Sequence, residues 1–237
     1  MNLEVKQPPV KLEPRQRFVL WNLGWDAYEK IVEALNEQHV RSTYDRGDLE
    51  LMSPLPVHER IKLWFGHFMQ VLAEELDFPF QNMGHTTLRR RDRDRGLEPD
   101  DCYYLASLET VVEWNTLNLD RDPPPDLALE VDVTTNCLDR MGVYAGLGVQ
   151  EIWRFDGEEW HVHLLGEDGE YQESPFSAAL PYLPISEIMP LLRESLDVAD
   201  LRERLNLLRR WARERALPLY QAWQQQQQQS PPAGANP

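Results

Sequence analysis

Two stretches of the chain, LEPDD at 97–101 and PPDLALEVDV at 124–133, set carboxylates among apolar residues at strand spacing. Side chains alternate across a strand, so Glu130 and Asp132 share one face while Leu129, Val131 and Val133 share the other. Like charges side by side repel, so that acidic face is either open to water or holds something positive. If the two strands are neighbours, Asp100 and Glu130 converge at one end of a sheet. Carboxylate oxygens are the donors Mg²⁺ takes, commonly one or two of them with waters and a substrate phosphate. An ion there would offset the repulsion, acidify a bound water and polarise a phosphoryl oxygen. The bland alternative is that both acids are solvated surface or turn residues.

These acids need elements to position them. WDAYEKIVEAL places Trp25, Tyr28, Val32 and Leu35 on one helical stripe, and HVRSTYDRGDLELMSP reads as a hairpin turning at Asp45-Arg46-Gly47-Asp48. VHERIKLWFGHFMQVLAEEL is the clearest helix, with Ile61, Trp64, Phe65, Phe68, Leu72 and Leu76 at helical spacing and no proline among them. Three segments of strand character follow, FQNMGHTTLRRRD, EPDDCYYL and PDLALEVDV, the last apolar enough for a central strand. TTNCLDRMGVYAGLG reads as a short helix started by Thr134, Thr135 or Asn136 and ended by Gly148. VQEIWRFDG and EWHVHLL then resume strand alternation around Gly157.

The order helix, three strands, helix, strand predicts an α/β layered domain at residues 18–192, after an extended leader at 1–17. Within 193–223, LRERLNLLRRWARERAL sets Leu201, Leu205, Leu208 and Ala212 on the stripe of a basic amphipathic helix. That stripe docks on its own domain or on a second subunit, and a nucleic-acid contact is the sharper alternative. The Gln/Pro-rich stretch at 224–237 reads as a disordered tail.

Composition narrows the partners. Forty acidic residues against 24 basic ones give a formal charge of −16, which opposes non-specific attraction to nucleic acid or anionic membrane. No run approaches the roughly 20 apolar residues of a membrane helix. The two cysteines, Cys102 and Cys137, suggest neither a disulfide framework nor a zinc site, as expected of a reduced cytoplasmic protein. LRRRDRDR at 88–95 is the one basic stretch inside the domain, either a hairpin balanced by acids or an edge that tracks phosphates. Glu50 reads as a surface strand residue, His161 and His163 as ordinary hairpin residues, and Trp153 and Trp160 as packing. Tyr103 and Tyr104 face opposite ways, so one of them is expected in the core.

EPDDCYYL, PPDLALEVDV, LDRMGVYAGLGVQEIWRFDG and the earlier GDLELMSPLPVHER together resemble the Uma family, within the PD-(D/E)XK nuclease superfamily, over roughly residues 22–190. The resemblance implies a restriction-endonuclease-like α/β core (helix, three strands, helix, strand), here with an added N-terminal helix and hairpin and a C-terminal amphipathic helix. It also implies hydrolysis of DNA phosphodiesters with Mg²⁺ or Mn²⁺. Carried over by position, Asp100 matches the aspartate of the PD motif and Glu130 the acid of the (D/E)XK motif, with the Val131 carbonyl as third metal ligand. His58, after the MSP turn, matches a family histidine that serves as base, water-orienting group or hydrogen-bond anchor.

Two positions depart from the pattern. Asp132 stands where (D/E)XK has lysine, and Arg140, four residues before Tyr144, stands where the family often carries a substitute lysine. Arginine stays protonated and cannot take a proton from water, though it can hold a phosphate bidentately. Two readings therefore stand side by side. One is a metal-dependent DNA endonuclease with weak, salt-dependent binding. The other is a catalytically impaired nuclease-fold module that binds nucleic acid or a protein partner, as a homodimer.

Overall fold

The computed structural model of the protein describes residues 17–35, 40–53, 56–131 and 137–229. In chain order its elements begin with strand β1 (Arg17–Leu20), helix α1 (Trp25–Leu35), strands β2 (Arg41–Asp45) and β3 (Asp48–Met52), and helix α2 (Pro56–Leu76). Strands β4 (Gln81–Asn82), β5 (Leu88–Arg90), β6 (Arg95–Leu97), β7 (Asp101–Tyr104) and β8 (Leu127–Val131) follow, then helix α3 (Arg140–Leu147). Strands β9 (Glu151–Phe155), β10 (Trp160–Leu165) and β11 (Tyr171–Ser174) precede helices α4 (Ile185–Leu196), α5 (Leu201–Trp211) and α6 (Leu217–Gln229). The strands make two sheets, ordered β1-β3-β2-β6-β5 and β11-β10-β9-β8-β7-β4. β8 and β9 pair in parallel, which demands a crossover, and α3 lies in it.

The β2–β3 hairpin forms at the expected turn. Arg46 and Gly47 take φ of 49° and 101°, the left-handed pair that a two-residue loop between twisted strands requires. On one face of the smaller sheet, Tyr28 and Val32 of α1 pack with Tyr44 and Leu49. Gly96 permits that approach, since a Cβ there would stand 2.2 Å from the Tyr28 hydroxyl. On the other face, α3 fills the space between the sheets, where Val143, Tyr144 and Leu147 meet Leu88, Leu97, Ala128 and Ile152. The far face of the larger sheet takes the expected α2 stripe against Leu129, Val131 and Trp153.

Because the larger sheet is covered on both faces, all of β8 is buried rather than alternating. The same cover corrects the expectation for the tyrosine pair. Tyr103 and Tyr104 do face opposite ways, but both are fully buried. The latter donates from its hydroxyl to the Pro123 carbonyl at 2.9 Å.

The expected run of three strands is also corrected. FQNMGHTTLRRRD divides at Gly84, whose φ of 60° turns the chain, so β4 joins the larger sheet and β5 the smaller. Five short strands in two sheets thus separate α2 from α3.

The C-terminal stripe docks on its own domain. Leu208 and Ala212 are buried in the core beneath α2, Leu205 packs at its edge, and Leu201 is exposed. Arg213 is paired to Glu75 of α2 and Arg215 to Glu187 of α4, which offsets the helix's basic charge. A π-helical turn at Ala212–Ala216 separates α5 from α6. It stands just before Pro218, whose missing N–H and bulky ring disturb the regular ladder upstream. The boundary expected at residue 192 falls inside α4. The glutamines through 229, expected in a disordered tail, instead extend α6, since glutamine is a good helix former on a turn anchored by Tyr220. The leader to residue 16, the proposed caps Thr134, Thr135 and Asn136, and residues 230–237 lie outside the described residues. Among the described residues no helix is long and apolar enough to cross a membrane.

Candidate functional site

The antiparallel register pairs Asp101 of β7 with Leu129 of β8, which sets Asp100 level with Glu130. Both carboxylates are buried, at 5% and 7% exposure. The Val131 amide donates to Asp100 Oδ2 at 2.7 Å.

Arg140, the first residue of α3, reaches back to Glu130 with both prongs, from Nε to Oε2 at 3.1 Å and from Nη2 to Oε1 at 2.5 Å. It also donates from Nη1 to Thr43 Oγ1 at 2.5 Å and from Nη2 to the Glu98 carbonyl at 2.8 Å. One helical turn on, the Tyr144 hydroxyl donates to Glu130 Oε1. Residues four apart lie on one face of a helix, so the Arg140–Tyr144 spacing delivers both donors to a single carboxylate.

Burial pushes the Asp100 carboxyl up, and Arg41 pulls it partly back. Burial likewise raises Glu130; Arg140 counters it, and the charge of Asp100 adds to the rise. Burial works against the charge on Arg140, but Glu130 outweighs it and holds the guanidinium protonated above its ordinary range. The positive partner of the acidic strand is therefore a guanidinium.

The donor chemistry suits a divalent cation in kind, since both acids offer hard oxygens. Glu130's oxygens, however, are given to Arg140 and Tyr144, and one Asp100 oxygen is given to an amide. Among the described residues no three His, Cys, Asp or Glu side chains gather as a metal-binding group. A divalent ion and Arg140 thus compete for the same lone pairs.

Outside this centre, Arg41 of β2 lies with Nε 3.7 Å from Asp100 Oδ1 and Nη2 3.3 Å from Glu59 Oε1. Lys62, one turn along α2, holds the other Glu59 oxygen at 2.5 Å. Burial pulls the Glu59 carboxyl upward, but Lys62 and Arg41 more than offset it, leaving it below the usual carboxylate range. Glu98 accepts from Ser42 Oγ at 3.1 Å, and burial raises its carboxyl. Arg41, Lys62 and Arg89 line a cavity of about 920 Å³ together with four carboxylates, Glu29, Glu33, Glu59 and Glu98.

The structure thus brings Asp100, Glu130 and Arg140 together, and Val131 takes part through its amide. His58 is buried in the first turn of α2. Asp132 lies outside the described residues. Glu50 is not a surface residue: it is buried, accepting from the Cys137 and Leu138 amides and pairing with Arg17. In the basic stretch, Arg90 pairs with Asp92, Arg91 with Asp26 and Arg95 with Asp45, the hairpin balanced by acids. His161 lies between Asp156 and Glu173 on the far hairpins.

Sequence reasoning missed Arg41, Lys62 and Glu98. A signal for the first was present, since Arg41, Thr43 and Asp45 alternate along β2 and give it a polar face. Nothing local marked the other two.

The family model described as "Uma2: Putative restriction endonuclease" matches residues 25–199. No curated protein matches the chain.

Proposed function

The chain belongs to the Uma2 family, whose restriction-endonuclease-like fold its two sheets and helices are consistent with, and from that premise we propose that it hydrolyses DNA phosphodiester bonds. The observation that carries the reading is the pair of buried acids, Asp100 and Glu130, level with each other on neighbouring strands and closed by a side chain.

Asp100 and Glu130 are the residues that would hold Mg²⁺ or Mn²⁺, once Arg140 has released Glu130. Bound there, the ion would acidify a water and polarise a phosphoryl oxygen. The chain's own residues do the rest. Tyr144 steadies Glu130 by donating to one oxygen, and the Val131 amide fixes the Asp100 rotamer. Arg140 neutralises the buried acids while they wait, and when released it is a planar donor able to face a phosphate.

A second reading is favoured by the saturation of Glu130: a nuclease-fold module that binds nucleic acid without cutting it. One comparison separates the two. Purified full-length protein is incubated with supercoiled plasmid and Mn²⁺ or Mg²⁺, beside Asp100→Ala, while thermal unfolding is followed against metal concentration. The hydrolytic reading expects nicking that Asp100→Ala abolishes, and a metal-dependent stabilisation of about 2.7 kcal/mol at a hundredfold excess over Kd. If wild type and Asp100→Ala treat the plasmid alike and neither responds to metal, hydrolysis is abandoned for the module.

A further inference from the structure

Arg41, on the wall of the cavity beside the acid pair, carries a guanidinium nitrogen that faces Asp100 and that no acceptor among the described residues takes. Arg41 is 6% exposed, and its Nε is buried without a hydrogen-bond acceptor among the described residues. The nearest acid to that nitrogen, Asp100 Oδ1 at 3.7 Å, is beyond hydrogen-bond reach. Such a donor calls for an acceptor that the described residues do not supply.

Glu59 indicates what kind. It bridges Arg41 and Lys62 with one oxygen each, and its side chain is 42% exposed. A half-exposed carboxylate held between two cations occupies the position that a phosphate group would take, and it can swing toward solvent to make way. Arg140 is not free to play this part, because Nε, Nη1 and Nη2 all donate inward and it does not line the cavity.

The cavity, at about 920 Å³, falls in the size class that encloses a small ligand or a strand end rather than a duplex. A net charge of −16 also disfavours laying a whole duplex backbone on this molecule, whereas one or two phosphates need only a local pair of cations. The cavity wall reaches the acids directly where Arg41 faces Asp100, and at one remove where the Glu98 carbonyl accepts from Arg140, which holds Glu130.

We propose that Arg41 and Lys62 form a phosphate-binding pair that receives a single-stranded nucleic acid in this cavity, with Glu59 as the carboxylate the phosphate displaces. The choice of carrier rests on the nuclease reading; the pair itself rests on Arg41, Lys62 and Glu59. A free nucleotide offers the same phosphate chemistry, so the test separates the two sources.

Fluorescence anisotropy of a labelled single-stranded oligonucleotide is measured with the full chain in EDTA, where no metal-dependent cutting occurs. Competitors are the same sequence as a duplex and a mononucleotide. Wild type is expected to prefer the single strand over both. Arg41→Gln and Lys62→Gln should each weaken binding about tenfold and flatten the log K against log salt slope by about 0.7 for each phosphate no longer neutralised. Arg93→Gln, on the exposed turn, should change neither. Thermal unfolding checks each variant; if Arg41→Gln does not fold, Lys62→Gln decides alone, since Glu59 keeps Arg41.

Binding unchanged in Lys62→Gln, a preference for duplex, or equal competition by mononucleotide each overturns the proposal. The two readings fail separately. A strand bound through Arg41 and Lys62 but never cut when metal is added leaves this pair standing and removes the hydrolase. Asp100-dependent nicking unimpaired in both variants does the reverse.

Discussion

Glu130 and Glu151 lie on the adjacent parallel strands β8 and β9, and both are buried. Glu151 accepts from Trp153 Nε1 and Ser177 Oγ at 2.5 Å, and from the Ala178 and Ala179 amides at 2.8 Å. Two of those donors are backbone, and three of the four, from Ser177, Ala178 and Ala179, pin the segment after β11 to the sheet. Among the described residues Glu130 has only side-chain donors, Arg140 and Tyr144, both carried by α3. Position agrees with chemistry. Glu151 opens β9, whereas Glu130 lies near the carboxyl end of β8, the end at which α/β sheets bind ligands. A carboxylate closed by backbone amides is committed to the fold, while one closed by a guanidinium can change partners.

The strongest way to break this comparison is Arg140→Ala. Removing one member of a buried ion pair strands the other charge and costs about 3–5 kcal/mol. Denaturant unfolding at neutral pH should show that loss. Without the guanidinium, Glu130 keeps a raised carboxyl in the folded state. A raised carboxyl favours folding where it is protonated, so the deficit should be small below about pH 4.3, the ordinary glutamate value, and should grow as pH rises through the raised one. With the guanidinium gone and only Tyr144 left on Glu130, stabilisation by Mn²⁺ should exceed that of wild type. A variant as stable as wild type at neutral pH would mean that the pair does not close the centre.

Glu151→Gln probes the other side of the contrast. An amide keeps one acceptor but sets an NH₂ against the Ala178 and Ala179 amides or the Trp153 and Ser177 donors. Losing charge-assisted bonds and crowding donors together should cost about 2–3 kcal/mol. Metal response and oligonucleotide binding, measured as above, should stay as in wild type. A changed response would show that Glu151 is coupled to the centre and would erase the distinction between the two acids.

The sequence carried this centre further than it carried its surroundings. Asp100 and Glu130 were legible as acids on segments of strand character and through the family resemblance, and their meeting hung on the two strands being neighbours, as β7 and β8 are. The α2 stripe, the Gly47 hairpin and the Gly148 helix end were legible as local periodicity or local backbone need. The division of strands between two sheets was not, because β4 and β5 are two and three residues long and too short to carry a period. Nor was the identity of the positive partner. A guanidinium and a metal ion satisfy the same acidic face, and only the placement of α3 against β2, β6 and β8 decides that Arg140 arrives there. The contacts of Arg41 were hidden for a related reason: Asp100 and Glu59 lie far from it in sequence.

The finest test asks which of Glu130's two partners governs the centre. Tyr144→Phe removes a single hydroxyl and leaves the ring packed among Leu88, Leu97 and Val143. Glu130 keeps both bonds from Arg140, so no charge is left bare, and the expected loss is that of one hydrogen bond to a charged acceptor, about 1.5–3 kcal/mol at most and nearer the low end. Mn²⁺ should stabilise this variant scarcely more than wild type, because the guanidinium still holds the lone pairs. A loss equal to that of Arg140→Ala, or an equal gain in metal response, would transfer control of the centre from the guanidinium to the phenol, and the contrast with Glu151 would then rest on the number of donors instead of their mobility.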